Sequence, residues 1–115
     1  MEERTLFTKI IAGEVPADIV YDDNDYCAFR DIHPASPAHV LIVPKRVIPK
    51  ITDAGPADKE ILGGLLLTAV KVARLLGVDE SGFRCVINCG KDGGQEVPHL
   101  HLHLLGGRLL GWPPG

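Results

Sequence analysis

Apolar and polar positions alternate from Pro98 to Leu105, with His99, His101 and His103 in one set and Leu100, Leu102 and Leu104 in the other. A period of two is that of a half-buried β-strand. Residues i, i+2 and i+4 share a face. The three imidazoles are therefore expected to project together, roughly 7 Å apart at a rise of ~3.3 Å per residue, with the leucines turned into a core. A second period governs the middle of the chain. Leu62, Leu65, Leu66, Ala69, Val70, Ala73 and Leu76 recur at the spacing of one helix face. Pro56 after Gly55, Asp58 and Glu60 early, Lys71 and Arg74 late, and Gly77 beyond the end mark its limits. Gly63 and Gly64 interrupt this helix. Each costs up to ~1 kcal/mol against Ala, and close packing against a neighbour would explain both.

Shorter elements fill the rest. Thr5 is an N-cap for a helix carrying Leu6, Phe7, Ile10 and Ile11, ended by Gly13 and Pro16. Its apolar side reads as core packing, with a pocket wall as the functional alternative. Asp18 to Tyr21 and Tyr26 to Arg30 form a hairpin about the turn Asp22 to Asp25. In the loop that follows, Asp31 fits either a turn residue or a carboxylate that holds a sugar hydroxyl pair, and His33 a solvated position. His39 to Val43 is too apolar for a one-sided strand and predicts a central strand buried on both faces. Pro44 stops it, and Lys45 and Arg46 are expected in solvent. Phe83 to Asn88 is a strand after the turn Asp79 to Gly82. Gly90 to Glu96 is a long hairpin loop. The only Trp, Trp112, lies in a proline-rich terminus, frayed or docked on a partner subunit.

Composition narrows the class. At 115 residues and 12.4 kDa, residues 1–115 are expected to form one domain. Aromatic residues are 5% against 45% hydrophobic, so the core is aliphatic. A net charge of −3 without a Lys/Arg block argues against nucleic acid and against an anionic membrane surface. No apolar run reaches ~18 residues, and the charged stretch Met1 to Arg4 leads into no signal-type segment; a cytoplasmic location is expected. Three cysteines without a secretory context argue against a disulfide framework. Cys85 and Cys89, about 13 Å apart if both lie in a strand, are too distant to share a metal and are read as buried small hydrophobes.

Three histidines on one face concentrate groups that change charge near neutral pH. Such a row suits binding a phosphate, binding a metal, or attacking an electrophile. The preceding loop holds no Walker-type phosphate motif, but its glycines would let main-chain N–H groups approach an anion.

His99-Leu100-His101-Leu102-His103-Leu104 resembles the motif that names the histidine triad family. Its flanks carry the likeness over nearly the whole chain: Asp31-Ile32 with Pro34 and Pro37, His39 to Lys45, Asn88 with Asp92 to Gln95, Leu105 to Arg108, and Trp112 to Gly115. The resemblance is to the nucleotide-binding, purine nucleoside phosphoramidase branch. It implies an α+β fold with about five antiparallel strands, one long helix and one short N-terminal helix. It implies a homodimer paired through the long helices and last strands, and a purine nucleoside monophosphate site without a cofactor or metal. On that likeness Asp31 holds the ribose hydroxyls, and Leu6, Phe7, Ile10, Val15 and Ile32 line the base pocket. His39, Asn88, His101 and His103 contact the α-phosphate, helped by the loop Gly94, Gln95, Glu96 and Val97. His101 is the nucleophile and His99 a supporting residue. One departure stands out: relatives often carry Ser where this chain has Glu96, and a carboxylate beside a phosphate is repelled unless protonated or turned away.

Three classes of function fit these residues. One is a hydrolase that cleaves the P–N bond of a purine nucleoside phosphoramidate through a nucleotidyl-histidine. Another is a nucleotide-binding scaffold with incidental turnover. The third is a metal-binding protein using His99, His101 and His103, for which further ligands at close sequence spacing are absent.

Overall fold

The computed structural model describes residues 4–115; the charged stretch read at Met1 to Glu3 lies outside them. Helix α1 spans Leu6–Ile11, followed by strands β1 (Ile19–Asp22), β2 (Tyr26–Arg30) and β3 (Ala38–Pro44). Helix α2 spans Lys59–Leu75, and strands β4 (Phe83–Val86) and β5 (Leu102–Gly106) complete the chain. The five strands form one antiparallel sheet in the order β1-β2-β3-β5-β4.

Each face of the sheet has its own apolar cluster. On one, Tyr26, Ala28, Val40, Ile42, Leu100, Leu102 and Leu104 meet Leu65, Ala69, Val72 and Ala73 of α2. On the other, Phe7 and Ile10 of α1 meet Cys27, Phe29, Leu41 and Val43. β2 and β3 contribute to both clusters, and β3 is buried at all seven positions, as its unbroken apolar run requires. His39, Leu41 and Val43 therefore point to the α1 side. Leu41 pairs with His103 and His39 with Leu105, which makes His39 and His103 diagonal neighbours on that face.

The long helix differs from the expected stripe. Its buried residues are Leu65, Thr68, Ala69, Val72 and Ala73, while Leu66 is 53% exposed. The helix is apolar on more than one side, so hydrophobicity alone does not fix its rotation. Thr68 enters the core because its hydroxyl donates to the Gly64 carbonyl at 2.8 Å. The paired glycines also divide. A Cβ on Gly64 would lie 2.1 Å from the Tyr26 hydroxyl oxygen, whereas one on Gly63 meets nothing within 4 Å.

β4 ends at Val86 rather than Asn88. Val86 pairs with His103, and before Leu102, which still pairs with Ile42, the histidine segment lies outside the sheet: the Leu100 N–H donates to Ile48 O at 2.6 Å and the His99 N–H to Val97 O at 2.8 Å. The cysteine reading also needs correction. Cys27 is buried, but Cys85 is exposed and Cys89 half-buried, because β4 is the sheet edge and Cys89 lies past its end. All three are free thiols. Lys45 and Arg46, expected in solvent, pair with Asp22 and Asp58 at 2.8 and 2.6 Å.

Candidate active site

The histidine alternation survives where the strand does not. Leu100, Leu102 and Leu104 are buried on the α2 side, and the three imidazoles face α1. That second face is not solvent: His99 is 0% and His101 7% exposed, because Phe7 of α1 lies over them with ring centroids 5.8 and 4.9 Å away. The N-cap that starts α1 also reaches the site. Thr5 Oγ1 accepts from the Thr8 N–H and lies 3.0 Å from His99 Nδ1.

Main-chain carbonyls fix two of the rings. A carbonyl only accepts, so the nitrogen facing it carries the proton. Pro44 O lies 2.7 Å from His99 Nε2, which makes His99 an Nε2–H tautomer that takes the Thr5 hydroxyl proton at Nδ1. His99 O lies 2.7 Å from His101 Nδ1, so Nδ1 holds the proton of that ring and Nε2 keeps its lone pair. Burial pushes the His101 pKa below the ordinary range, against the raising effects of the His99 carbonyl and of Asp31. His103, 5.0 Å from His101 between centroids, falls to about 4 through burial and the neighbouring His101 and His39, with Asp31 opposing. Both rings are neutral near pH 7.

Asp31, at the end of β2, completes the cluster. One carboxylate oxygen accepts from the His33 N–H at 2.8 Å and the other lies 3.5 Å from His39 Nε2. Among the described residues Asp31, His39 and His103 could in principle face one cation. The hydrogen bonds argue against it. The Ala35 N–H donates to His39 Nδ1 at 3.0 Å, so a neutral His39 carries its proton on Nε2, the atom a metal would need bare. The triad itself also makes a poor metal cage, since both nitrogens of His99 and one of His101 already face protein partners.

Residues 12–110 match the HIT domain model. The chain belongs to the HIT family. It is 48% identical over 111 residues to the purine nucleoside phosphoramidase of Escherichia coli K12, covering 96% of this chain and 93% of that one. It is 52% identical to an uncharacterized HIT-like protein of Synechocystis over the whole of both chains. The crystal structure of a HIT family hydrolase from Legionella pneumophila superposes with a TM-score of 0.95 at 50% identity, covering 97% of this chain and all of that one. The five-stranded sheet with one long and one short helix is the HIT architecture, as the sequence led one to expect.

Within this HIT domain the structure brings Asp31, His39, His101 and His103 together, with Phe7 and His99 behind them. Phe7 and Ile10 are core residues of the α1 cluster, and Val15 and Val97 are half-buried against it. Leu6 and Ile32 are 48% and 85% exposed. Asn88 is half-buried two positions beyond Val86, the partner of His103. The loop departs most from expectation. The N–H groups of Gly94 and Gln95 donate to Lys91 and Gly90 carbonyls, so they are not turned to an anion. The Gln95 amide accepts from the Gly90 N–H and donates to Pro49 O and Val97 O at 2.7 and 3.0 Å, clamping the loop. Glu96 is exposed. Sequence reasoning missed the Thr5 hydroxyl, the Pro44 carbonyl and the Ala35 N–H as partners of the histidines. Thr5 was visible as a cap, but main-chain partners leave no mark in residue identity.

Proposed function

We propose that this protein hydrolyses purine nucleoside phosphoramidates, releasing AMP or GMP and an amine, with His101 as nucleophile. The His101 ring carries the reading: its Nδ1 proton is held by the His99 carbonyl, and its Nε2 lone pair belongs to a ring that burial keeps neutral. The 48% identity to a purine nucleoside phosphoramidase supports the substrate class. His101 Nε2 attacks the phosphorus, the P–N bond breaks with its electron pair going to nitrogen, and the leaving nitrogen takes up a proton from solvent and departs as the amine. Water then attacks the phosphorus, the P–N bond to His101 breaks, and a proton returns to solvent as the monophosphate leaves and the neutral ring is restored. His103 and Asn88 donate to the non-bridging oxygens as charge develops, Asp31 holds the ribose, and the α1 side near Leu6, Val15 and Ile32 receives the base. Rapid quenching of the enzyme with labelled adenosine phosphoramidate should trap acid-labile label on His101. Turnover with no labelled protein would remove the covalent route.

The same reading includes a homodimer in the cytoplasm. Leu66 and Leu67 on the outer side of α2 are 53% and 66% exposed, and β4 is an open sheet edge whose Phe83 is 36% exposed. Apolar surface on a helix beside an unpaired edge suits closed two-fold pairing. Light scattering should give twice the 12.4 kDa chain mass, reverting to one chain in Leu66→Asp. No helix of the described residues is long and apolar enough to cross a membrane.

A further inference from the structure

Ala35 sits in a loop between β2 and β3, and both ends of the residue are held. Its N–H donates to His39 Nδ1 at 3.0 Å, and its carbonyl accepts from Arg108 Nη2 at 2.9 Å. The same tail lies close to the loop elsewhere: a Cβ on Gly107, whose φ is +90°, would come 2.9 Å from Pro37 Cβ. Arg108 thus reaches across from the end of β5 to anchor the residue whose N–H meets the far nitrogen of His39.

The polarity of this contact passes inward. A main-chain N–H can only donate, so His39 Nδ1 is a lone pair and the proton of the neutral ring sits on Nε2. That nitrogen lies 2.9 Å from His103 Nδ1. His103 Nδ1 is then the acceptor, and neutral His103 carries its own proton on Nε2. The arrangement is opposite to that of His101, where Nδ1 bears the proton and Nε2 is bare. Two neutral imidazoles two residues apart therefore differ at the same ring atom: one has a lone pair, the other an N–H. An anionic phosphoryl group needs that combination, a nucleophile on one ring and a donor on the next.

We propose that Arg108, Ala35 and His39 form a positioning chain that fixes His103 as its Nε2–H tautomer, so that a neutral imidazole donates to the phosphoryl oxygens of the ligand. The use of that donor rests on the phosphoramidase reading above. His39, with both nitrogens engaged inside the protein, acts through His103, and Arg108 acts through Ala35. Without Arg108 the loop loses its outer anchor and the Ala35 N–H its aim. The proton shared by His39 and His103 then occupies either ring, and part of the His103 population turns a lone pair toward the phosphate.

Long-range 1H–15N correlations of the imidazoles, recorded on the ligand-free protein at mildly alkaline pH, read this directly. In wild type His39 and His103 should appear as Nε2–H tautomers and His101 as Nδ1–H. Arg108→Ala should shift the His103 tautomer ratio by about two- to tenfold, the worth of one neutral hydrogen bond, with His101 unmoved. Arg108→Lys, which donates to the same carbonyl, should restore most of it. On a phosphoramidate, kcat of Arg108→Ala should fall in proportion to the fraction of His103 that leaves the Nε2–H form, with KM nearly unchanged. A wild-type His103 protonated on Nδ1, or an Arg108→Ala ratio equal to wild type, overturns the proposal. Wild-type tautomers as described, in a protein that does not turn over phosphoramidates, would count against the phosphoramidase reading and leave the chain standing.

Discussion

The Thr5 hydroxyl lies 3.0 Å from the Nδ1 of His99, a residue 94 positions later, and both side chains are buried. One oxygen therefore caps α1, by accepting from the Thr8 N–H, and lies against the ring of the residue whose carbonyl holds His101. Thr5→Val keeps the shape and removes both bonds. It should lower unfolding free energy by about 1–3 kcal/mol, a cap plus a buried hydrogen bond, measured by urea titration. Thr5→Ser should stay near wild type. A valine variant as stable as wild type would mean the contact does not hold His99.

His101→Ala should lose about 10⁴- to 10⁶-fold in kcat, the scale of removing a nucleophile. Calorimetric titration with AMP should still show binding, because Asp31 and the α1 side remain. Retention of most turnover would place the nucleophile elsewhere.

Acid should affect folding before neutral pH does. The unfolded imidazole titrates near ~6.5, whereas folded His103 titrates at about 4, chiefly because it is buried. In that window the unfolded chain binds a proton that the native ring refuses, so stability rises with pH there and levels off above it. Melting temperature followed across the range should show this slope, and His103→Asn should flatten it. With His101 as the proposed nucleophile, phosphoramidate turnover should persist below the ordinary histidine range, since burial lowers that pKa too.

The two core substitutions at α2 and β5 test the packing that carries the site. Gly64→Ala drives a methyl group into the Tyr26 hydroxyl, which itself donates to Ile61 O at 2.7 Å; a loss of about 1–3 kcal/mol is expected. Leu102→Ala, at a fully buried position, should cost about 2–5 kcal/mol. Differential scanning calorimetry separates these from Gly63→Ala, whose methyl group meets nothing within 4 Å in the isolated chain.

Where a side chain's own chemistry set the structure, the sequence was readable. The leucine–histidine alternation named the face of each residue, Thr5 and Gly13 bracketed α1, and the apolar run at β3 announced a strand buried on both sides. It was unreadable where the main chain decided. Nothing in the letters of Ala35 or Pro44 says that one donates to His39 and the other accepts from His99. Nor does Gln95 disclose that its amide closes a loop rather than greeting a ligand. The rotation of α2 was lost for another reason: with leucines on several sides, periodicity offers more than one stripe.

Because peptide groups, not side chains, dictate where the protons sit on His39, His99 and His101, their arrangement belongs to the fold rather than to the local alphabet. Most replacements at Ala35 or Pro44 leave the dictating N–H or C=O in place. Proline at position 35 is the exception, since it deletes the N–H itself. Saturation of that position should accordingly yield a tolerant site with a single forbidden letter, a pattern that a conventional contact map of side chains would not reveal.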